Sequence, residues 1–421
     1  MSKGRYRSVE CKRVNWQQVI EKASGRTLVF AIDVAKEAFV GLLQEKGGEA
    51  LVRVRWSHPG ETGDLLAGLE RLAAAGAVEA VMESSGSYGD VLRWQLQRRG
   101  IEVYRVSAKR VHDAAEVYDG VPSLHDPKAC ELIGELHAGA VSQPWIEEDR
   151  QQRGRKAQLH MLHEANTRQG QLRNRLEAHL MRHWPEVLEL LALNSSSLRT
   201  LIAAYGGPEQ VDALADLARK TLHAAGGPGQ SEEKIEAVID SAASSLGIPC
   251  VLEERAHLRQ LGKDLIDIAK RIRDLEGAIA REVGDDHVMA DLAGTLGTTT
   301  TLVLFALFGS PAAYASAQSY CKAIGLNLKE HSSGKHKGRL SITKRGPSLG
   351  RFYLYFAALR LIAREPLVGR WFRTKTQRPG AVKGKQVVEL MRRIAKGIWH
   401  HAQGRPFAVD KLFAPLPAEA C

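Results

Sequence analysis

Apolar residues along the chain change period twice. Three short runs come first, Thr27–Val34, Ala38–Gln44 and Ala50–Trp56, with "EKGGE" as the turn between the last two. Runs of this length bounded by turn residues predict strands. A helix over Glu61–Ala75, a strand "VEAVMES", a helix over Gly89–Arg98, a strand "IEVYRVS" and more helix follow. One arrangement of three meandering strands followed by alternating α and β sets the first strand centrally, beside the fourth. Asp33 ends the first strand and Glu83 the fourth, so both carboxylates are expected side by side at one end of the sheet.

From about Ile146 to Val283 the period becomes helical and the composition polar. Leu258, Leu261, Leu265, Ile268, Ile272, Leu275 and Ile279 alternate spacings of three and four, a heptad seam. The expectation is a coiled coil that joins protomers. The alternative is antiparallel pairing with a helix of the same chain, around Leu159–Leu180. "GGP" at 206–208 and "GGPGQS" at 226–231 mark loops. Residues 284–405 predict a last, mainly helical part that opens with a turn and a buried helix in "LAGTLGTTTTLVLFALFGS". "CKAIGLNLKEHSSGKHKGRLSITKRGPS" has little periodicity and predicts a loop or short strands over something anionic. The tail from 406 to 421 carries three prolines and is expected to be poorly ordered.

At 421 residues, 44% hydrophobic and 25% charged, the chain has room for two or three packed domains. The start lacks an apolar run of signal-peptide length, and the longest such stretch, Leu302–Phe308, is too short to cross a bilayer. A cytoplasmic protein is expected, with no membrane partner. Five scattered cysteines without a C-x-x-C pair argue against a disulfide framework and a structural zinc site. Charge alters the picture more. Between Lys335 and Arg405 lie 18 Lys/Arg and two acids, so within a total of +11 the remaining residues carry −5. Cations interleaved with Phe352, Tyr353, Tyr355, Trp371 and Phe372 suit a polyanion, and nucleic acid is the expected partner.

Two carboxylates at neighbouring strand ends repel each other, and a divalent cation removes that cost. Mg²⁺ takes carboxylate oxygen and accepts phosphate oxygens in its remaining positions. Two such ions roughly 3.5–4 Å apart serve phosphoryl transfer. "YDGVPSLHDPKACELIGELHAG" offers a third acid, Asp126, at a predicted helix start. Asp there is equally a plain helix cap.

The stretches "AIDVAKEAF", "VMESSGSYGDVLRWQLQRRGIEVYRVSAKRV" and "HDPKACELIGELHAG" resemble the amino-terminal domain of the DEDD transposases. These form the insertion-sequence-one-ten family, relatives of the Piv DNA invertase. "YCKAIGLNLKEHSSGKHKGRLSITKRGPSLGRFYLYFAALRLI" is similar to that family's carboxy-terminal transposase domain. The likeness covers about residues 27–190 and 285–375. It implies an α/β plus all-α protein with an extension (1–26), a RuvC-like, ribonuclease-H-like domain (27–145), a helical coiled-coil region (146–283), a transposase domain (284–405) and a tail (406–421). It also implies a Mg²⁺-dependent recombinase, with two ions per site, guided by a bridge RNA that pairs with donor and target DNA. Homodimers would assemble into a tetramer. Its acids fall on Asp33, Glu83 and Asp126, and its serine on Ser333. The family's fourth acid, three residues after the third, is here Ala129. His125 or Asp119 could replace it, three acids plus water could suffice, or the chain could be inactive.

A serine oxygen attacking a phosphodiester needs its proton removed and the phosphate's charge neutralised. Lys335, Lys337 and Arg339, with Lys344 and Arg345 nearby, are the candidate phosphate contacts, and Ser332 is the alternative nucleophile. A loop serine that only contacts backbone phosphate is the plainer reading of the residue types. "HKGR" (His336–Arg339) also fits the His-x-x-Arg box of tyrosine recombinases, but Tyr353 and Tyr355 fall inside an apolar helix. The pair His400–His401 is expected on a helix surface. Two rival functions stay open: an RNA–DNA organiser whose chemistry has lapsed, and a hydrolytic junction nuclease of the ribonuclease H class.

Overall fold

The computed structural model describes residues 6–23, 25–84, 86–226, 231–333 and 336–412, without the side chains of 331–333, 336, 337, 339, 411 and 412. The chain divides into two units, Met1–Glu148 and Asp149–Cys421. In the first, seven strands make one sheet: β1 (Val9–Glu10), β2 (Leu28–Asp33), β3 (Ala38–Glu45), β4 (Ala50–Ser57), β5 (Val78–Glu83), β6 (Glu102–Val106) and β7 (Gln143–Pro144). Their order is β1-β4-β3-β2-β5-β6-β7. β2 is antiparallel to β3 and parallel to β5, so the first long strand is central and beside the fourth, as the order of elements predicts. β1 and β7, two residues each, extend the two edges.

β2 reads as an unbroken apolar run because both its faces are covered. Leu28, Phe30 and Ile32 pack on one side with Trp56, Leu65, Leu69 and Leu92. Val29 and Ala31 pack on the other with Val81, Val111, Leu132 and Ile133. The first face is covered by α1 (Trp16–Ala23), α2 (Thr62–Ala75) and α3 (Asp90–Gln97), the second by α4 (Ala108–Asp119) and α5 (Asp126–Ala138). The unit therefore has three layers, helix on sheet on helix.

The second unit is mainly helical. α6 (Arg150–His183) and α7 (Ser196–Tyr205) each pack along α8 (Leu252–Gly284). Arg155 pairs with Glu282 at 2.9 Å near one end, and Arg182 with Glu254 at 3.6 Å near the other, so α6 and α8 are antiparallel. This corrects the expectation for the heptad seam. Leu258, Leu261, Leu265, Ile268, Ile272 and Ile279 are at most 8% exposed within the single chain, and Leu275 packs against the same core. The intrachain pairing describes them, because Leu162, Leu172, Leu176 and Leu180 of α6 supply the matching apolar face. Nor do the helical middle and the last segment form separate cores: one cluster runs from Leu162 to Ile398.

Within that core α9 (Thr298–Phe308) is apolar all round and almost wholly buried, as its sequence predicts. The aperiodic Gly/Ser/Lys stretch forms a hairpin of β8 (Leu328–Ser333) and β9 (His336–Ile342). Gly325 at its base has φ +81°, and a Cβ there would sit 2.2 Å from the Arg345 carbonyl oxygen, so glycine is required. α10 (Ser348–Arg364) and α11 (Lys383–Ala402) follow. His401 of α11 is buried with Nδ1 3.0 Å from the Arg405 carbonyl, not on a helix surface as expected. Residues 413–421, where a disordered tail is expected, lie outside the described residues. Among the described residues no helix is long and apolar enough to cross a membrane.

A seam buried inside one chain predicts that Leu265→Ala destabilises the second unit by about 2–5 kcal/mol through the cavity it leaves. Urea unfolding should report that loss with a midpoint independent of protein concentration. A concentration-dependent midpoint would place the seam between protomers instead.

Candidate functional site

Strand alternation decides where the acids go. Val29 and Ala31 face the α4/α5 layer, so Asp33, two residues on, falls on that side; Val81 faces it too, and so does the position of Glu83. The β2/β5 register runs to Ile32 opposite Met82, which brings Asp33 and Glu83 to the ends of adjacent parallel strands. α5 packs on β2 and β3 in the same layer, and Asp126 is its first residue. Cys130, one turn on, anchors this end of the helix by donating its thiol to the Val40 carbonyl at 3.2 Å.

The acids act on one another. Burial, and then the charges of Asp126 and Glu83, push the Asp33 carboxyl up to about 6 from 3.8, against a hydrogen bond from the Val34 backbone. Burial raises Glu83 as well. The three predicted acids are therefore electrostatic neighbours. They do not form a closed ligand shell: among the described residues no three His, Cys, Asp or Glu side chains stand close enough to hold one metal ion. The all-carboxylate donor set suits a hard cation such as Mg²⁺, and their mutual repulsion is the cost that such an ion relieves.

The plain capping reading of Asp126 does not hold. The cap is His125, whose Nδ1 accepts from the Lys128 backbone N–H at 3.3 Å, with Pro127 in the first turn. His125 also meets Tyr6 edge to face, ring centroids 4.7 Å apart. Asp119 accepts from the Lys128 ammonium at 2.7 Å and from the Val121 N–H at 3.0 Å. Both residues offered as substitutes for the missing acid thus have structural tasks. Ala129 is buried, 2% exposed.

Two supporting residues were not anticipated from the sequence. Lys128, 1% exposed, donates to Asp119 and to the carbonyls of Val121 and Ser123 at 2.7 and 3.0 Å, tying the loop before α5 to the helix that starts with Asp126. Arg93, also 1% exposed, pairs with Asp90 and donates to the Glu83 carbonyl at 3.2 Å. A Cβ at Gly89 would lie 2.8 Å from that guanidinium, so "YGD" leaves room for it. Their signal was only a lone cation beside a candidate acid. A concavity lined by Gln44, Arg53, Tyr118 and Glu131 contains none of the three acids, and an Arg53–Glu131 pair at 2.5 Å occupies it.

In the second unit, the side chains of Ser333, Ser332, Lys337 and Arg339 lie outside the described residues, as does Lys335 altogether. Lys344 and Arg345 are exposed just after β9. Part of the basic surplus is spent internally. Arg351 donates to the carbonyls of Ile324 and Gly346, Arg392 to that of Leu326, and Arg360 to that of Leu296 at 2.6 Å.

Residues 292–373, from α9's approach through the hairpin and α10, match the family model described as Transposase IS116/IS110/IS902 family. The chain carries a transposase segment of that family. No curated protein matches the chain. The transposase segment holds the hairpin with Ser333, the exposed Lys344 and Arg345, and the anchors Arg351 and Arg360.

The raised Asp33 pKa predicts a pH-dependent penalty in metal-free protein. Unfolded Asp33 ionises near 3.8 and the folded group near 6, so folding loses stability as pH rises through that interval and carries the full penalty above it. That interval corresponds to roughly 3 kcal/mol, which solvent at the partly buried carboxyl reduces to about 1–2 kcal/mol. In EDTA, Asp33→Asn should therefore stabilise the protein at about pH 8 and make no difference below about pH 4. Thermal unfolding of both proteins across that range checks it; equal stability at every pH would mean that neither burial nor the neighbouring acids raise Asp33.

Proposed function

We propose that this protein is a transposase and site-specific recombinase of an insertion sequence, cutting and rejoining DNA strands at sites chosen by a bound guide RNA. What carries the reading is the Asp33 carboxyl, held high by burial and by its neighbours Asp126 and Glu83, in a chain whose second unit includes a transposase segment. A central strand flanked by its hairpin partner and the fourth strand suits a RuvC-like, ribonuclease-H-like catalytic domain. Asp33, Glu83 and Asp126 would hold Mg²⁺. Bound there, the metal would neutralise phosphate charge and favour ionisation of an attacking hydroxyl.

The chain's own groups do the rest. Arg93 and Lys128 fix the backbone at Glu83 and Asp126, so the acids keep their places despite repulsion. Ser333 is the nucleophile: its Oγ bonds to phosphorus, the P–O bond to the leaving sugar breaks, and that oxygen takes up a proton. The phosphoester passes to serine, so a second strand's hydroxyl can reverse the step without ATP. Lys335, Lys337, Arg339, Lys344 and Arg345 are the phosphate contacts. Base pairing to the guide RNA selects donor and target DNA. Two duplexes engaged together call for two dimers, a tetramer, and the joint between protomers is a surface other than the buried heptad seam.

Ala129 favours a second reading, a nucleic-acid organiser whose catalysis has lapsed, because a methyl group cannot ligate metal where the resembling family has its fourth acid. One experiment separates the readings. The protein is incubated with its element's RNA, labelled donor and target DNA and Mg²⁺, then denatured. Protein-linked DNA that disappears in Ser333→Ala is the expected result. Cleavage without linkage points to a hydrolytic nuclease, and binding alone to the lapsed organiser. In the last case Ala129→Asp should restore the adduct. That variant should also lose stability in EDTA, from a further buried carboxylate, and recover it when Mg²⁺ is added.

A further inference from the structure

α10 presents two unlike faces. Leu354, Ala357, Ala358 and Leu361 are buried in the core. On the opposite side Phe352, Tyr355 and Phe356 are 53%, 39% and 44% exposed. At spacings of three and four they share one stripe of the helix. Phe352 and Phe356 meet with ring centroids 4.9 Å apart, and Tyr355 and Phe356 at 5.7 Å, both edge to face. Three adjoining rings left in water are an unusual cost for a helix that buries its other face well.

The charge around the stripe narrows its occupant. From Lys335 to Arg364 the sequence has eight Lys/Arg and no Asp or Glu. A carboxylate from another helix, Glu276, acts on Tyr353 at the flank of the stripe. A second copy docked here face to face would set cations against cations. An acidic strand with aromatic bases is complementary in both respects: its phosphates meet the cations and its base faces meet the rings. A duplex hides those faces by stacking. Structured RNA presents unpaired bases at rest, in loops and bulges, and so can cover an apolar surface that is always exposed.

We propose that Phe352, Tyr355 and Phe356 form a platform on which unpaired bases of an RNA loop stack, while Lys344 and Arg345 at the start of α10 hold its backbone. The proposal rests on the reading of this chain as a nucleic-acid enzyme, but it requires neither metal nor cleavage.

The test uses the full chain in EDTA. Fluorescence anisotropy reads its affinity for an RNA hairpin with a loop of about eight nucleotides, for the same stem as a blunt duplex, and for the matching DNA hairpin. Phe352→Ala and Phe356→Ala, at exposed positions, should each weaken loop binding about tenfold and leave duplex binding and salt dependence unchanged. Phe352→Trp should keep the affinity, and Phe356→Leu, apolar but without a π face, should behave like the alanine variant. Equal losses for loop and duplex would overturn the proposal, as would full affinity in Phe356→Leu. A DNA hairpin bound more tightly with the same ring dependence would make single-stranded DNA the occupant. A dimer of the unliganded protein that dissociates in Phe352→Ala, by sedimentation, would make it a second copy. Failure here leaves the serine–DNA adduct standing, and failure of the adduct leaves the platform standing.

Discussion

Repulsion among carboxylates at the end of β2 and β5 is the constraint on which the first unit turns. A central strand covered on both faces is a poor place to end in an anion, and placing a second beside it and a third at a helix start raises the cost. The raised Asp33 pKa reflects its burial first and the charges of Asp126 and Glu83 second. The surrounding structure is arranged to bear that cost. Arg93 holds the Glu83 carbonyl from one helix layer, and Lys128 ties down the loop before Asp126 in the other. Each is a buried cation paired with a carboxylate outside the trio, Asp90 or Asp119, and donating to backbone carbonyls, so they stiffen the acids' supports without neutralising the acids. A site built for a cation needs that combination.

The second unit spends its charge differently. Its long helices close on one another, and the heptad seam is consumed inside the chain. Arginines that look like nucleic-acid contacts on paper, Arg351, Arg360 and Arg392, cap carbonyls at the base of the hairpin and at a helix end. What faces solvent includes Lys344, Arg345 and the ring stripe of α10, with further cations at Arg364, Arg370, Arg373 and Arg378. The transposase segment thus combines a rigid interior with a basic, aromatic exterior.

Much of the first unit was legible because its strands are long apolar runs and the acids sit where those runs stop. β1 and β7 were not, since two residues carry no period. The seam shows another limit: a heptad says which face of a helix is apolar, and nothing about whether the covering helix belongs to the same chain. Asp126 at a helix start read equally as cap or ligand, and only the observed bond from Lys128 N–H to His125 assigns the cap elsewhere. Lys128 and Arg93 were invisible because their importance lies in carbonyls distant from any motif. His401 was misplaced because a doublet of polar residues gives no hint that one of them turns inward.

The central proposal is that Asp33, Glu83 and Asp126 together hold divalent metal. Titration of metal-free protein with Mn²⁺, followed by the loss of its free-ion EPR signal near neutral pH, tests this most directly. The account predicts saturable binding that weakens sharply in each of Asp33→Asn, Glu83→Gln and Asp126→Asn. Binding left intact by all three substitutions, or none in the parent protein, would contradict it.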